Sequence, residues 1–589
     1  MSSPGTPRLR PVPQTPDRFW MRGDLPDFVG VSSLLLVTAT AFLLRAVRGY
    51  RPFPSVDDFV YIPLARAAVF PELFPRDVML QEFVLHAPVW TWAVWLSEHS
   101  IDLAALFWLL TVVLSIATVA AAFRLLKALG ASGVLLPLLC WIGLAGRVNG
   151  VMRGQYEGAL GDAFHVQWLA LCLLLWAYVA LVERRALLSG IFLGLAAIGH
   201  PVVAAHGAFV ILLAAVLARE GARLLQLGLA AAVVSAPVSL PLVYRLAEAR
   251  GDAAVPAAEL IQTGFMFRAP HEYSIDYATT GEIAFLALVV LAGTAGAALL
   301  LRDRENQPAR TLAGILLGHV VLAAAALLVH GPWASGGIFE QSTLPFLLHL
   351  SRTSPILLVV GAALALAATE SGSGYRPLRW ALAFVLLILL LFPWSPAVML
   401  FVLLSGLALL HQRALAYRHW IQVALGLVAI VALGRMVASD RLEAAVAPEE
   451  QALYSWVRTR TPVEAMFIIP PGFQQFRTYT DRGAYVDFKF FASATPSLIP
   501  EWRRRLDLIA APDSATLARR GWPGLPAWDS SYAKHNTPRR IAKLLKETGM
   551  DYFVLDLAYA SPGAASRLGA GLTTAYADSR YRVFKLKGS

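Results

Sequence analysis

Residues 163–185 read AFHVQWLALCLLLWAYVALVERR, an apolar run broken only by His165 and Gln167 and closed by Glu183, Arg184 and Arg185. A helix of that length crosses a hydrocarbon core of roughly 30 Å, and a basic pair at one end marks the side on which it stops. Outward from this segment the pattern recurs near 29–48, 103–127, 132–147, 186–200, 201–218, 223–244, 281–301, 310–330, 346–368, 377–393, 395–411 and 419–438. The repetition predicts a mainly α, polytopic membrane helical bundle of about 11–13 spans. Composition agrees. Of 589 residues 57% are hydrophobic and 15% charged, against about 25% charged in soluble domains, which excludes an ordinary soluble protein.

Basic turns at Arg124/Lys127, Arg184/Arg185, Arg219/Arg223, Arg302/Arg304/Arg310, Arg376/Arg379 and Arg413/Arg418 fall on one side if the N-terminus is cytoplasmic. Residues 1–28, rich in Pro and Arg and without apolar period, read as a disordered cytoplasmic tail. The first run lacks a small-x-small cleavage site and reads as a retained anchor. The opposite, outer side then receives the loops 49–102, 148–162 and 245–280 and everything after 440. The net charge of +11 is spread over short loops, so it reads as topology signal and lipid-headgroup contact, with no nucleic acid partner. Cys140 and Cys172 lie in apolar runs and offer neither a disulfide framework nor a thiolate metal cluster.

The expected domains are the tail 1–28, a transmembrane domain 29–439 and a soluble outer domain 440–589. Residues 440–589 hold 36 charged residues in 150, whereas the first 439 hold 53. Within them PEEQALYSWVRTRTP (448–462) reads as a helix leading to the strand AMFIIP (465–470). TPRRIAKLLKETGM (537–550) repeats that order before DYFVLDL (551–557), and RYRVFKLK (580–587) alternates as a strand. A small α/β domain follows.

The first outer loop carries SVDDFVYIPLARAAV (55–69). Two adjacent carboxylates, Asp57 and Asp58, beside a bilayer are costly unless solvated, paired or used. The plain alternative is an N-cap for a helix from Phe59 to Val69. The arrangement of one anchor span, a first outer loop opening DDFVYIPLARAAVFPELFPRD, many spans and an outer C-terminal domain resembles the GT-C class of membrane glycosyltransferases. WVRTRTP and DYFVLDL look somewhat like the outer domain of its oligosaccharyltransferase-type members. The resemblance implies a polyprenyl-phosphate-linked sugar donor, a glycan, lipid or protein acceptor, surrounding membrane lipids as partners, and a place in a bacterial inner or plasma membrane with the C-terminal domain outside.

Glycosyl transfer to a hydroxyl needs a base near the nucleophile, and Asp57 or Asp58 can serve. No cofactor is fixed by the sequence. A divalent cation, Mg or Mn, held by Asp58 is the one this chemistry leaves open. The leaving phosphate needs cationic partners, for which Arg352 in LLHLSRTSP and Arg268 with His271 in FRAPHEY are the candidates. Against these stand snorkelling of Arg352 to headgroups and a solvated turn at Arg268 and His271. Tyr61, Glu82, His86 and His200 are the candidate substrate contacts. For His200, which with His206 brackets Pro201, Pro-kinked packing is the alternative. Trp90, Trp92 and Trp95 read as interfacial anchors. Arg147, Arg153, Glu157 and Asp162 either help bind acceptor or pair among themselves. No Walker A loop or strand-borne G-x-G-x-x-G is present, which leaves nucleotide sugars and ATP without support. The competing reading is a transporter or flippase of lipid-linked sugars, or a non-catalytic membrane scaffold.

Overall fold

A computed structural model describes residues 31–55, 57–82, 88–144, 163–249, 280–303, 305–330, 353–370, 418–490, 498–560 and 571–588, with single positions at 256, 259, 262–263, 267 and 404. The spans expected at 377–393 and 395–411 lie outside the described residues, apart from Leu404.

The membrane part is a bundle of apolar helices. They are α1 (Val31–Arg48), α5 (Leu103–Ala128), α7 (Val166–Val182), α8 (Ala186–Gly199), α9 (Pro201–Leu217), α10 (Gly221–Ala249), α11 (Thr280–Leu300), α12 (Gln307–His330), α13 (Ser354–Glu370) and α14 (Arg418–Ser439). Among the described residues, segments of α5, α10, α12 and α14 are each long and apolar enough to cross a membrane. Without a hydrophobic drive between helices in lipid, close backbone approach supplies the packing. Gly190 and Gly194, one turn apart on α8, show this. A Cβ at Gly190 would stand 2.3 Å from the Leu227 carbonyl oxygen of α10, and one at Gly194 would stand 2.8 Å from that of Ala231.

The span expected over 132–147 is not one regular helix. A 3₁₀ turn (Gly133–Leu135), a short α6 (Leu136–Leu139) and a π-helical turn (Cys140–Leu144) replace it. Pro137 sits at the start of α6, and Gly143 packs so tightly on the Val359 backbone that a Cβ would come within 2.9 Å of its Cα. Packing overrides helical regularity here.

Ion pairs mark one end of the bundle. Arg124 pairs with Glu183, Arg185 lies 3.7 Å from the same carboxylate, and Arg184 and Arg223 share Glu220. The basic turns after α5, α7 and α9 therefore gather together, as their charge pattern predicts. At the opposite end Gly199, closing α8, lies against the Val166 carbonyl at the start of α7, and Trp108 of α5 donates to Asp440 beyond α14 at 3.0 Å.

On this second end sits the segment between α1 and α5, folded as α2 (Asp58–Val69), α3 (Val78–Gln81) and α4 (Val89–His99). Over it lies a five-stranded mixed sheet of order β2-β1-β3-β5-β4, with β1 (Met466–Ile468), β2 (Gly483–Ala484), β3 (Tyr552–Asp556), β4 (Leu572–Ala577) and β5 (Tyr581–Leu586). Strands β1, β2 and β3 run parallel; β5 is antiparallel to β3 and β4. Parallel neighbours need crossover connections. Helix α16 (Phe476–Thr480) joins β1 to β2, and α17 (Leu498–Ala510), α18 (Ser514–Leu517), α19 (Gly521–His535) and α20 (Pro538–Thr548) lead to β3, while α15 (Pro448–Arg460) precedes the sheet. Phe53 pairs with the chain beyond α14, its N–H donating to Leu442 O and its carbonyl accepting from Ala444 N. The chain is thus an α-helical membrane bundle with a C-terminal α/β domain.

Candidate functional site

Helix α2 starts at the Asp pair, where the Val60 and Tyr61 N–H groups donate to the Asp57 carbonyl at 3.0 and 3.1 Å, and Phe59, Val60, Ile62 and Leu64 bury its apolar side, with Pro63 inside the helix. Asp57 occupies the N-cap position, yet its carboxylate makes no capping hydrogen bond. It is turned to two other partners. Lys489 Nζ, from the C-terminal domain, donates to Oδ1 at 2.5 Å, and His165 Nε2, at the start of α7, lies 3.1 Å from Oδ2. The side chain is 27% exposed, whereas Lys489 is 8% exposed. Burial works against ionisation of Asp57, but Lys489 and His165 outweigh it and hold the carboxyl well below its ordinary value.

Asp58 behaves differently. It is buried, its Oδ2 accepts the Ser55 N–H at 2.5 Å, and its Oδ1 has no hydrogen-bond partner among the described residues. Burial pushes this carboxyl up to about 7, with the Asp57 charge adding to the effect. Adjacent in sequence, the two acids are driven apart by environment. Asp57 is an accessible anion, while Asp58 closes the turn before α2.

His165 is fixed by its own helix. Its Nδ1 accepts the Gln167 N–H at 3.2 Å, capping α7, so the proton belongs on Nε2, toward Asp57. Tyr61 stands edge-on to the His165 ring at 6.2 Å and stacks on Trp90 at 5.4 Å. Trp90 is fully buried. The expectation of an interfacial anchor fails for it, because the face of α4 that carries Trp90 packs under α2; Trp92 and Trp95 of the same helix are exposed.

Lys489 is placed by a buried ion cluster. Arg477 of α16 donates to Asp77 of the first loop at 2.7 Å and to the Ala484 carbonyl at 2.7 Å, and it also pairs with Asp487. Asp77 in turn accepts from Ala484 N at 2.9 Å and Asp487 from Phe490 N at 2.7 Å. Lys489 Nζ also lies 5.1 Å from the centre of the Trp522 ring. Two further pairs tie the first loop to the domain: Arg66 with Asp481 at 2.8 Å and Arg76 with Asp551 at 2.8 Å.

Of the other expected residues, Glu82 follows α3 and is exposed. His200 caps α9, its Nδ1 accepting Val203 N at 3.4 Å, and is buried at the same bundle end as His165. His86, Arg268, His271 and Arg352 lie outside the described residues, as do Arg147, Arg153, Glu157 and Asp162. Among the described residues no group of three His, Cys, Asp or Glu side chains is placed to hold a metal ion. The residues missed by sequence reasoning are His165 and Lys489. The available signal was a lysine and an aspartate inside the otherwise apolar and aromatic YVDFKFF (485–491).

A family model described as a domain of unknown function (DUF6798) matches residues 448–509, the stretch holding Arg477, Asp487 and Lys489. No curated protein matches the chain. Three solved structures are similar to it. One is the arabinofuranosyltransferase AftD from Mycobacteria, at 14% identity and TM-score 0.48, covering 95% of this chain and 40% of that one. The second is an Archaeoglobus fulgidus oligosaccharyltransferase in the apo form, at 12% identity and TM-score 0.45, covering 96% of this chain and 75% of that one. The third is the oligosaccharyltransferase AglB from the same organism, with an inhibitory peptide and a dolichol-phosphate, at 13% identity and TM-score 0.46, covering 89% and 69%. This chain therefore spans 40% of the length of the arabinofuranosyltransferase.

Proposed function

We propose that the protein is an integral-membrane glycosyltransferase that moves a sugar from a polyprenyl-phosphate-linked donor to a hydroxyl-bearing acceptor at the outer face of the membrane, with Asp57 as base. The observation that carries this reading is the Asp57 carboxylate, ionised and part-exposed between Lys489 and His165 where the first loop, the bundle and the C-terminal domain meet. A carboxylate kept ionised and part-exposed where three parts of the chain meet points to use. Asp58, buried and tied to Ser55 N, has no comparable access.

In the reaction the acceptor O–H loses its proton to Asp57 as its oxygen bonds the anomeric carbon. The bond from that carbon to the phosphate oxygen breaks, and the electron pair leaves with the phosphate. Positive groups beside the site, Lys489 among them, oppose the negative charge that grows there. The Tyr61 and His165 rings meet edge-on beside Asp57.

The test is sugar release from a panel of labelled polyprenyl-phosphate sugars by the purified protein in nanodiscs, beside Asp57→Asn and Asp58→Asn. The expected result is turnover that falls by about 10³-fold or more in Asp57→Asn and far less in Asp58→Asn. Turnover indifferent to Asp57 sinks the assignment of the base, and no turnover with any donor returns the transporter or scaffold reading. A parallel reaction with chelator reads any requirement for a divalent cation.

A further inference from the structure

We propose that Lys489 is a two-position ammonium, resting on Asp57 and moving to the phosphate of the lipid-linked donor, so that arrival of the donor frees the base. This rests on the function proposed above. Both oxygens of Asp57 are engaged, Oδ1 by Lys489 and Oδ2 by His165. To take a proton from an acceptor hydroxyl, the carboxylate must release one of them.

The two partners are not equally able to leave. His165 caps α7 through Nδ1 and is walled by the Tyr61 and Trp90 rings, so swinging it away uncaps a helix. Lys489 carries its charge on a flexible four-carbon stem. Its backbone neighbourhood is held by the Arg477, Asp77 and Asp487 cluster, which confines any exchange to the side chain. The Trp522 ring, 5.1 Å from Nζ, offers a cation a second surface during the exchange.

What draws the ammonium off is set by its burial. At 8% exposure a departure from Asp57 without another counter-charge leaves a poorly solvated cation, which is unfavourable. A neutral sugar ring cannot supply that charge. A phosphate ester arriving beside Asp57 can. Once the exchange is made, the positive charge that held Asp57 in its anionic form is gone and the carboxylate regains proton affinity. In the step that follows, the acceptor proton passes to Asp57 Oδ1 while the bond-breaking electron pair settles on the phosphate opposite Lys489. Base and counter-ion are thereby produced in one event.

The full-length protein in detergent is titrated by calorimetry with farnesyl monophosphate, inorganic phosphate, and anionic phosphatidylglycerol nanodiscs in separate arms. Farnesyl monophosphate is expected to bind, and Lys489→Met to weaken it by about tenfold or more, whereas Lys489→Arg, which keeps the charge and guards against misfolding, stays within about threefold. Asp57→Asn releases Lys489 and tightens binding by about fivefold, and that gain shrinks below about twofold in the Lys489→Met background. An equal gain in both backgrounds is mere relief of repulsion and overturns the exchange, as does binding indifferent to Lys489→Met. Inorganic phosphate or phosphatidylglycerol binding as tightly with the same Lys489 dependence overturns the donor as the source of the phosphate. If Asp57→Asn abolishes sugar transfer while phosphate binding ignores Lys489, the transferase reading stands and this proposal falls. If the wild type binds no lipid phosphate, both fall.

Discussion

The guanidinium of Arg477 and the carboxylate of Asp77, 400 residues apart in sequence, meet at 2.7 Å where neither side chain sees solvent. With Asp487 as the third member, the cluster carries two carboxylates on one cation, and the backbone N–H groups of Ala484, Leu80 and Phe490 complete it. This is the join between the first loop, which supplies Asp57, and the C-terminal domain, which supplies Lys489.

Arg477→Met leaves Asp77 and Asp487 buried without a cation, and the expected loss is about 3–5 kcal/mol of stability. Thermal unfolding in detergent measures it. Limited proteolysis should show the first loop becoming cleavable in the same variant. Asp77→Asn, which removes one of the two negative charges and keeps hydrogen-bonding atoms, should lose less. A melting temperature unchanged in Arg477→Met would mean that the cluster does not join the two parts.

Lys489 sets the proton affinity of Asp57. With Lys489 present the carboxyl stays ionised well below its ordinary range, so the stabilisation from the pair is present above the unfolded value of 3.8 and lost only as pH falls through the lower folded value. In Lys489→Met burial remains and its largest compensation goes, leaving His165 alone, which raises the carboxyl. The acidic limb of kcat/KM should move upward. An unmoved limb would mean that another group controls it.

The bundle was legible because apolar runs of membrane-spanning length carry their own signal, and the helix-strand order after 440 was legible from periodicity. Sequence spacing could not bring Lys489 to Asp57 across 432 positions, since that contact exists only once the domain folds over the first loop. Nor could it tell which tryptophan of VWTWAVW faces inward. Trp90 points under Tyr61 because α4 packs on α2, whereas Trp92 and Trp95 meet solvent or lipid. The Asp pair was visible, but its division into an accessible anion and a buried acid is a property of the surroundings.

Asp58, raised to about 7 from 3.8 by burial, makes an opposite prediction about pH and stability. Well below pH 3.8 it is protonated in both folded and unfolded chains. As pH rises toward 7 the unfolded chain releases the proton and the folded one keeps it, so stability falls through that window and then levels off. A shift of roughly three units corresponds to about 4 kcal/mol. Asp58→Asn has no such proton to lose, so its stability relative to wild type should climb between pH 4 and 7. Unfolding at pH 4.5, 6 and 8 tests this, and a difference that stays constant with pH removes the buried-acid assignment.

His165 combines two duties that substitution can separate. Its Nδ1 caps α7 by accepting the Gln167 N–H, and its Nε2 faces Asp57. An asparagine side chain caps a helix nearly as well as any residue and is too short to repeat the second contact, whereas alanine does neither. His165→Ala should therefore lose about 1 kcal/mol of stability and His165→Asn a few tenths. Their sugar-transfer rates should fall together, by about tenfold or more, because both lose the Nε2 contact that orients the Asp57 carboxylate. A rate that follows stability, with His165→Asn close to wild type, would confine His165 to capping. A rate lost equally in both variants at unequal stability would mean that His165 acts on the carboxylate itself.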